Sequence, residues 1–532
     1  MKIKVTIRIL LTLLFLTCLR FQVFPQNWPK TYPNWDAWAQ WIIETYDKGY
    51  IILGNTCNCN YGLVIKTDIN GNILWYKEIG DNEHIFVMNN IEQTLDMGYI
   101  ISGTTTKFNQ YDAYIIKLNH CGEIEWCNII YTPNLEYDIG LRVKQTPDLG
   151  YLLLGSYNDP NPDIRTNLFK FDSIGNLIWH KGYLPHISAF NDDAQDLIVD
   201  STGFLITSIC YYPDPGGGSV GWNRFYFTKT DTAGDKLWDV IYGDTSFYYG
   251  YPMISIKSNT GNFYSFGKHD IILDSIGYDN PAMVKILSNG TQSYSKDILS
   301  NLNTGGCGTA IFLNDTTIVN SPGWAINMYS VQNLFMKTDT FGNVLKSKVL
   351  PPISDAMMSM AKTFDNKIVS IANNFYSYLQ IIAFKVNSDL EFDSVDTHPF
   401  TYDSLCPYPI TSGFINPTCD QILDVSEPQT HPETTLLKVY PNPASNQLKV
   451  EFPKYIVTTT GSGKNQSNTV FYQWKSTTLE VYDFTGKQIL TKEIPKDQQQ
   501  MSFDISAWHR GMYYFRLSYR GQTVAGEKVV LK

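Results

Sequence analysis

The sequence predicts an all-β chain built from repeats, and three observations carry that prediction. The run Lys66-Thr67-Asp68-Ile69-Asn70-Gly71-Asn72-Ile73-Leu74-Trp75 returns in recognisable form along most of the chain. Aromatic residues make up 14% of the 532 residues and charged residues only 17%, a balance that suits pleated, half-buried strands. No stretch shows the apolar period of a helical solenoid.

The repeat comes first. Copies stand at Lys117-Leu118-Asn119 with Gly122 and Trp126, at Lys170-Phe171-Asp172 with Gly175 and Trp179, and at Lys229-Thr230-Asp231 with Gly234 and Trp238. Lys285 with Asn289 and Gly290 is a worn fifth copy, and Lys337-Thr338-Asp339 with Gly342 is a sixth. Lys385-Val386-Asn387 is a seventh that lacks the glycine. These lysines are separated by 51, 53, 59, 56, 52 and 48 residues. A second element precedes them: Asp47-Lys48-Gly49-Tyr50, Asp96-Met97-Gly98-Tyr99 and Asp148-Leu149-Gly150-Tyr151, with degraded copies at Gly203-Phe204 and Gly261-Asn262-Phe263.

Each unit reads as four antiparallel strands. A strand ends near Glu44 and turns at Asp47–Gly49. Tyr50–Leu53 is a short buried strand, and a variable loop leads to a third over Leu63–Thr67. Asp68 to Gly71 is a tight hairpin, since Asp accepts bonds from its own turn and Gly supplies φ > 0. The fourth strand carries Trp75. Four such strands in about 50 residues make a propeller blade, whose two apolar faces need neighbours. The expectation is a seven-bladed β-propeller over residues 35–397, with six or eight blades compatible with the weak last copies. Asp68-x-Asn70-x-Asn72 faintly resembles a calcium loop but lacks the glycine and glutamate positions of an EF-hand. Turn chemistry accounts for it, and Trp75, Trp126, Trp179 and Trp238 read as packing residues between blades.

The N-terminus speaks to compartment. Lys2, Lys4 and Arg8 precede an apolar run from Ile9 to Leu19, the layout of a secretory signal peptide, expected over residues 1–26. No later segment reaches the roughly 20 apolar residues of a membrane-spanning helix. The net charge of −10, with no basic run, argues against nucleic acid. Of nine cysteines, Cys406 and Cys419 flank a Pro-containing stretch and are the expected disulfide pair within a linker at 398–435. Cys57 and Cys59 are close enough for a local bridge or a metal, and no C-x-x-C pair exists for structural zinc.

Beyond residue 435 the pattern changes. Strands at Leu448–Phe452, Leu479–Phe484 and Met512–Tyr519, with a final edge strand from Val529, suggest a small Ig-like β-sandwich over 436–532. The polar stretch 454–475 reads as an exposed loop insertion.

Catalytic signatures are absent. The eight histidines are scattered, and no nucleophile elbow, zinc-binding helix or phosphate loop occurs. Asp192-Asp193 reads as a solvated loop pair. The tight hairpins make one propeller face plain, and the longer loops open on the other. Tyr211, Tyr212 and Trp222, then Tyr248, Tyr249 and Tyr251, with Lys268-His269-Asp270 beyond them, form the expected ligand face. Aromatics beside Asp and Asn suit sugars or peptides. No cofactor or metal is expected. The functional expectation is a non-catalytic binding or adhesion module for glycan or protein. The alternative is a polysaccharide hydrolase or lyase with two carboxylates hidden in the funnel.

Two resemblances accompany this reading. The repeats over Trp35–Thr397 resemble the delta-60-like propeller repeats of exported Bacteroidetes-type proteins. Tyr440-Pro441-Asn442-Pro443, Asp483 with Gly486, Gly511 with Tyr513, and the stretch from Lys528 to Lys532 resemble the type A C-terminal sorting domain of the type IX secretion system. That resemblance implies export, recognition by the translocon, removal of the domain by a sortase, and release or surface attachment.

Overall fold

The computed structural model describes residues 28–532 apart from 109, 132–137, 159–163, 184–190, 213–221, 243–247, 274–275, 300–304, 328–329, 352–356, 375–378, 424–436, 453–455, 461–466, 472–476, 484–486, 496–497, 499 and 520–521. The expected signal peptide, His186, His431 and Gly486 lie outside the described residues.

Consecutive antiparallel strands form six sheets spanning 37–80, 86–131, 139–183, 191–242, 248–297 and 305–349. The seventh takes Met357–Lys362, Ile368–Asn374 and Gln380–Val386 from the end of the repeat region and Lys30–Tyr32 from its start. The innermost strand of each sheet packs beside that of the next, and that of the seventh beside that of the first, so the sheets close a ring. The chain is propeller-like.

The repeated residues account for the ring. In the first sheet Asp68 Oδ1 accepts the Asn70 and Asn72 amides, both at 2.8 Å, and Gly71 turns with φ 76°. A Cβ on that glycine would lie 2.7 Å from the Trp28 ring. The same approach joins Gly122 to Trp75, Gly175 to Trp126, Gly234 to Trp179 and Gly290 to Trp238. Each tryptophan therefore fills the gap between its own sheet and the turn of the next.

The repeated lysine and the repeated Asp-x-Gly turn meet within a sheet. Lys66 Nζ lies 2.5 Å from Asp47 Oδ1, Lys117 2.9 Å from Asp96 and Lys170 2.7 Å from Asp148. Lys385 lies 3.4 and 3.6 Å from Asp393 and Asp365. In the fifth sheet Lys285 instead stands over the rings of Tyr264 and Tyr294. Burial opposes each of these charges, and the partner beside it offsets that cost.

The segment expected as a linker is structured up to Leu423. Gly413–Ile415 adds in parallel to the outer strand of the first sheet, and Asp420–Leu423 to that of the second. This strap corrects the expected cysteine pairing. Cys406 bonds to Cys121 and Cys419 to Cys127. The physical reason is that the strap runs extended across two sheets, so each cysteine meets the sheet beneath it rather than its neighbour along the strap.

The C-terminal unit has two sheets. Three strands, from Lys438–Tyr440, Gln447–Glu451 and Gln500–Asp504, face four, from Thr477–Asp483, Gln488–Glu493, Gly511–Tyr519 and Gln522–Leu531. Val450, Phe503, Val481, Phe515 and Leu517 fill the space between them. The expected loop insertion at 454–475 instead contains a hairpin, Ile456–Thr460 against Ser467–Phe471.

Candidate functional site

The axis of the ring is built from the seven innermost strands. Each carries a register shift at a matching place, between Ala39 and Trp41, Met88 and Asn90, Gly140 and Arg142, Ala194 and Asp196, Pro252 and Ile254, Cys307 and Ala310, and Met357 and Ser359. A bulge leaves a backbone amide unpaired. Side chains of the neighbouring sheet take several of these amides. Asn55 Oδ1 accepts the Met88 amide at 2.7 Å, Asn373 Oδ1 that of Ala39 at 2.7 Å, and Ser156 Oγ that of Ala194 at 3.0 Å. Just past the bulges, Asn90 accepts from Val143, Asp196 from Ser255 and Ser359 from Ile42.

Arg142 of the third sheet donates from Nε to Asp196 of the fourth at 3.2 Å and lies 4.7 Å from the ring of Trp41 in the first. Trp41 also packs against the apolar cluster that holds Ile254 and Phe266, in the fifth sheet. The axis is thus crossed by a tryptophan–arginine stack, and the Asp196 carboxylate there is already committed to Arg142 and to the Ser255 amide. Sequence reasoning missed this ring because the bulged residues, Gln40, Asn89, Leu141, Gln195 and Met253 among them, share no chemistry.

The expected ligand residues stand on strands rather than loops. Tyr211 pairs across the fourth sheet with Asn191 and Asn223, and Tyr212 with Trp222. Tyr248 and Tyr249 open the fifth sheet opposite Ile271 and Asp270. Asp193, expected to be solvated, is in a strand and half-buried. Its Oδ1 accepts from Ser156 Oγ at 2.5 Å, and burial pushes its carboxyl up, against the pull of that bond. Tyr211 and Tyr251 lie around it. Burial, then the Asp193 and Tyr251 charges, push the Tyr211 hydroxyl up to about 12. Tyr251 is raised by burial and Asp193 and is opposed by Lys268, whose Nζ lies 5.9 Å from the Tyr251 ring and 2.8 Å from Asp279. Beside them His269 Nδ1 is 2.8 Å from Asp297, which also accepts from Asn280 at 3.0 Å. These residues sit at the edge of the ring opposite the tight turns. The sequence pointed to Tyr211, Tyr251 and Lys268–His269, but Asp193 joins them only through the pairing of the fourth and fifth sheets.

The C-terminal motif gathers at one edge. Asn442 Oδ1 accepts the Val530 amide at 3.0 Å and its Nδ2 donates to the Lys528 carbonyl at 2.7 Å. The Lys532 amide donates to the Ala444 carbonyl. Tyr440, Pro441 and Pro443 are exposed beside this clamp, as are Lys528 and Lys532. Tyr513 Oη donates to the His509 carbonyl at 2.8 Å, bracing the turn in which Gly511 has φ 145°. Asp483 Oδ1 accepts the Lys487 amide at 3.1 Å.

Residues 438–532 match the family described as a secretion system C-terminal sorting domain. The C-terminal unit is a type IX sorting domain. The sorting domain marks the chain for export, with secretion or outer-surface attachment as its destination. No helix among the described residues is long and apolar enough to cross a membrane.

No curated protein matches the chain. Among solved structures, a polysaccharide lyase described as an ulvan lyase is 10% identical with a TM-score of 0.47, covering 68% of this chain and 96% of its own. Virginiamycin B lyase from Staphylococcus aureus is 10% identical with a TM-score of 0.39, covering 67% and 98%. A Bacteroides caccae protein of unknown function is 11% identical with a TM-score of 0.32, covering 57% and 93%.

Proposed function

We propose that the chain is an exported seven-bladed β-propeller over residues 35–397, with Trp28–Tyr32 completing its last blade, joined to an Ig-like type A sorting domain that a sortase removes. Its function is non-catalytic capture of a glycan or protein on the face opposite the tight turns. The observation that carries this reading is the group formed by Tyr211, Tyr251, Asp193 and Lys268, which offers aromatic faces beside hydrogen-bonding groups on a rigid pair of sheets. Asp196, the carboxylate at the crossed axis, is spent on structure, and this supports binding over funnel catalysis.

Glycan-array binding with a hydrolysis screen on the same glycans tests it. Tyr211→Ala and Tyr251→Ala should each weaken binding about tenfold, the scale of 1.4 kcal/mol per aromatic contact, with an unchanged melting temperature. Binding that survives both substitutions would remove the site. A second reading rests on the His269–Asp297 pair, whose geometry suits a general base. Cleavage of any glycan, lost in His269→Ala, would replace capture with catalysis.

A further inference from the structure

The outer face of the four-stranded sheet in the sorting domain is not left in water. Along Gly511–Tyr519, Tyr513, Phe515 and Leu517 point into the sandwich. Strand alternation sends Tyr514, Arg516 and Ser518 the other way. In a sandwich standing alone that set would be solvated. Tyr514 is only 6% exposed and Ser518 only 1%.

What covers Tyr514 and Arg516 is the tight-turn face of the propeller. Leu149 sits at the tip of the Asp148-Leu149-Gly150 turn with φ 67°, yet it is 2% exposed. A Cβ on Gly526 would lie 2.4 Å from Leu149 Cδ1, so the strand Gln522–Leu531 rests directly on that tip. Charge follows the same contact. Arg516 is bound by Glu480 at 2.6 Å through Nε and lies 5.2 Å from the ring of Tyr482. Arg516 feels Asp96 of the second blade, and His120 is pushed down by burial and further by Arg516. Burial and then Asp96 raise the Tyr514 hydroxyl. Meanwhile Tyr440–Pro443, Lys528 and Lys532 stay open to solvent.

We propose that the turns of blades two and three form a seat for the sorting domain of the same chain. The seat holds the domain by the outer face of its larger sheet, so that the export motif is presented outward from a folded propeller. The apolar tip of Leu149 supplies the contact, and Asp96 opposite Arg516 sets its orientation.

The test uses the full chain carrying a specific protease site inserted within 424–436, folded with its disulfides and then cut. The expected result is that the two pieces co-elute on size exclusion at micromolar concentration. Leu149→Lys places a charge in the seat while keeping a residue that a positive-φ turn accepts, as Lys48 does in the first blade. It should weaken the association at least tenfold, with the melting temperature of the propeller unchanged, and Arg516→Glu should do the same. Separation of the two unsubstituted pieces after cleavage, or co-elution unaffected by both substitutions, would overturn the proposal. Export of the uncut chain, followed in parallel, reports on the sorting reading independently.

Discussion

Leu390 takes, with φ 62°, the turn position that glycine holds in the other six copies of the repeat. The left-handed conformation costs a side-chain-bearing residue about 1–2 kcal/mol. Leu390 is nevertheless fully buried, against Phe384 and Val386 among others. Truncating a buried leucine costs about 2–5 kcal/mol, which outweighs the relief of strain. Leu390→Gly, although it restores the repeat's own residue, should therefore destabilise the protein by about 2 kcal/mol in urea unfolding. A gain in stability would mean that the turn, not the core contact, governs this position. This residue also shows where sequence reading stops. The absent glycine makes the seventh copy look worn, whereas the leucine serves the core between blades six and seven.

At the scale of elements, the last blade borrows its outer strand from the start of the chain. Trp28-Pro29-Lys30-Thr31-Tyr32 repeats the pattern of Trp179-His180-Lys181-Gly182-Tyr183. Tyr32 Oη donates to the Gly71 carbonyl at 3.0 Å as Tyr183 Oη does to that of Gly234 at 2.8 Å. The repeat was legible because its residues build turns and fill gaps between blades. This displaced strand was not, because it stands alone beside a segment that reads as a leader. The strap was hidden for a different reason. Its added strands are three and four residues long, too short for any period, and backbone pairing and two disulfides hold it in place. Trp28→Ala empties the gap above Gly71 and loosens the strand that closes the ring. The expected loss is about 3–5 kcal/mol, read as a lower urea midpoint. An unchanged midpoint would show that this strand is not what holds the ring closed.

Over the whole molecule, the buried lysine–aspartate pairs tie stability to pH. Burial raises the carboxyls of Asp47, Asp96 and Asp148, but Lys66, Lys117 and Lys170 outweigh it, and all three end below their usual range, Asp96 at about 2. A carboxyl lower in the folded state than in the unfolded one stabilises the fold above its unfolded value. That contribution is lost as pH falls through the folded value. The melting temperature should hold above pH 4 and drop steeply toward pH 2. Asp96→Asn should lower it at pH 7 and flatten its fall below pH 4. A wild-type melting temperature that does not change between pH 4 and 2 would remove these pairs from the account. The propeller site was only half visible for a related reason. Single residues such as Tyr211, Tyr251 and His269 stood out, but what joins them to Asp193 is the packing of the fourth sheet on the fifth.

The strap has a mechanical consequence. A pull on the chain beyond Leu423 loads only the short Asp420–Leu423 pairing before it meets a covalent cross-link. It reaches Cys419, crosses the sulfur bridge to Cys127, and enters the outer strand of the second blade through covalent bonds. The closing strand Lys30–Tyr32 lies off that path. If the protein is moored by its new end after the sorting domain is cut away, drag on the propeller is borne by blade two, and the ring can strain against its anchor without unzipping.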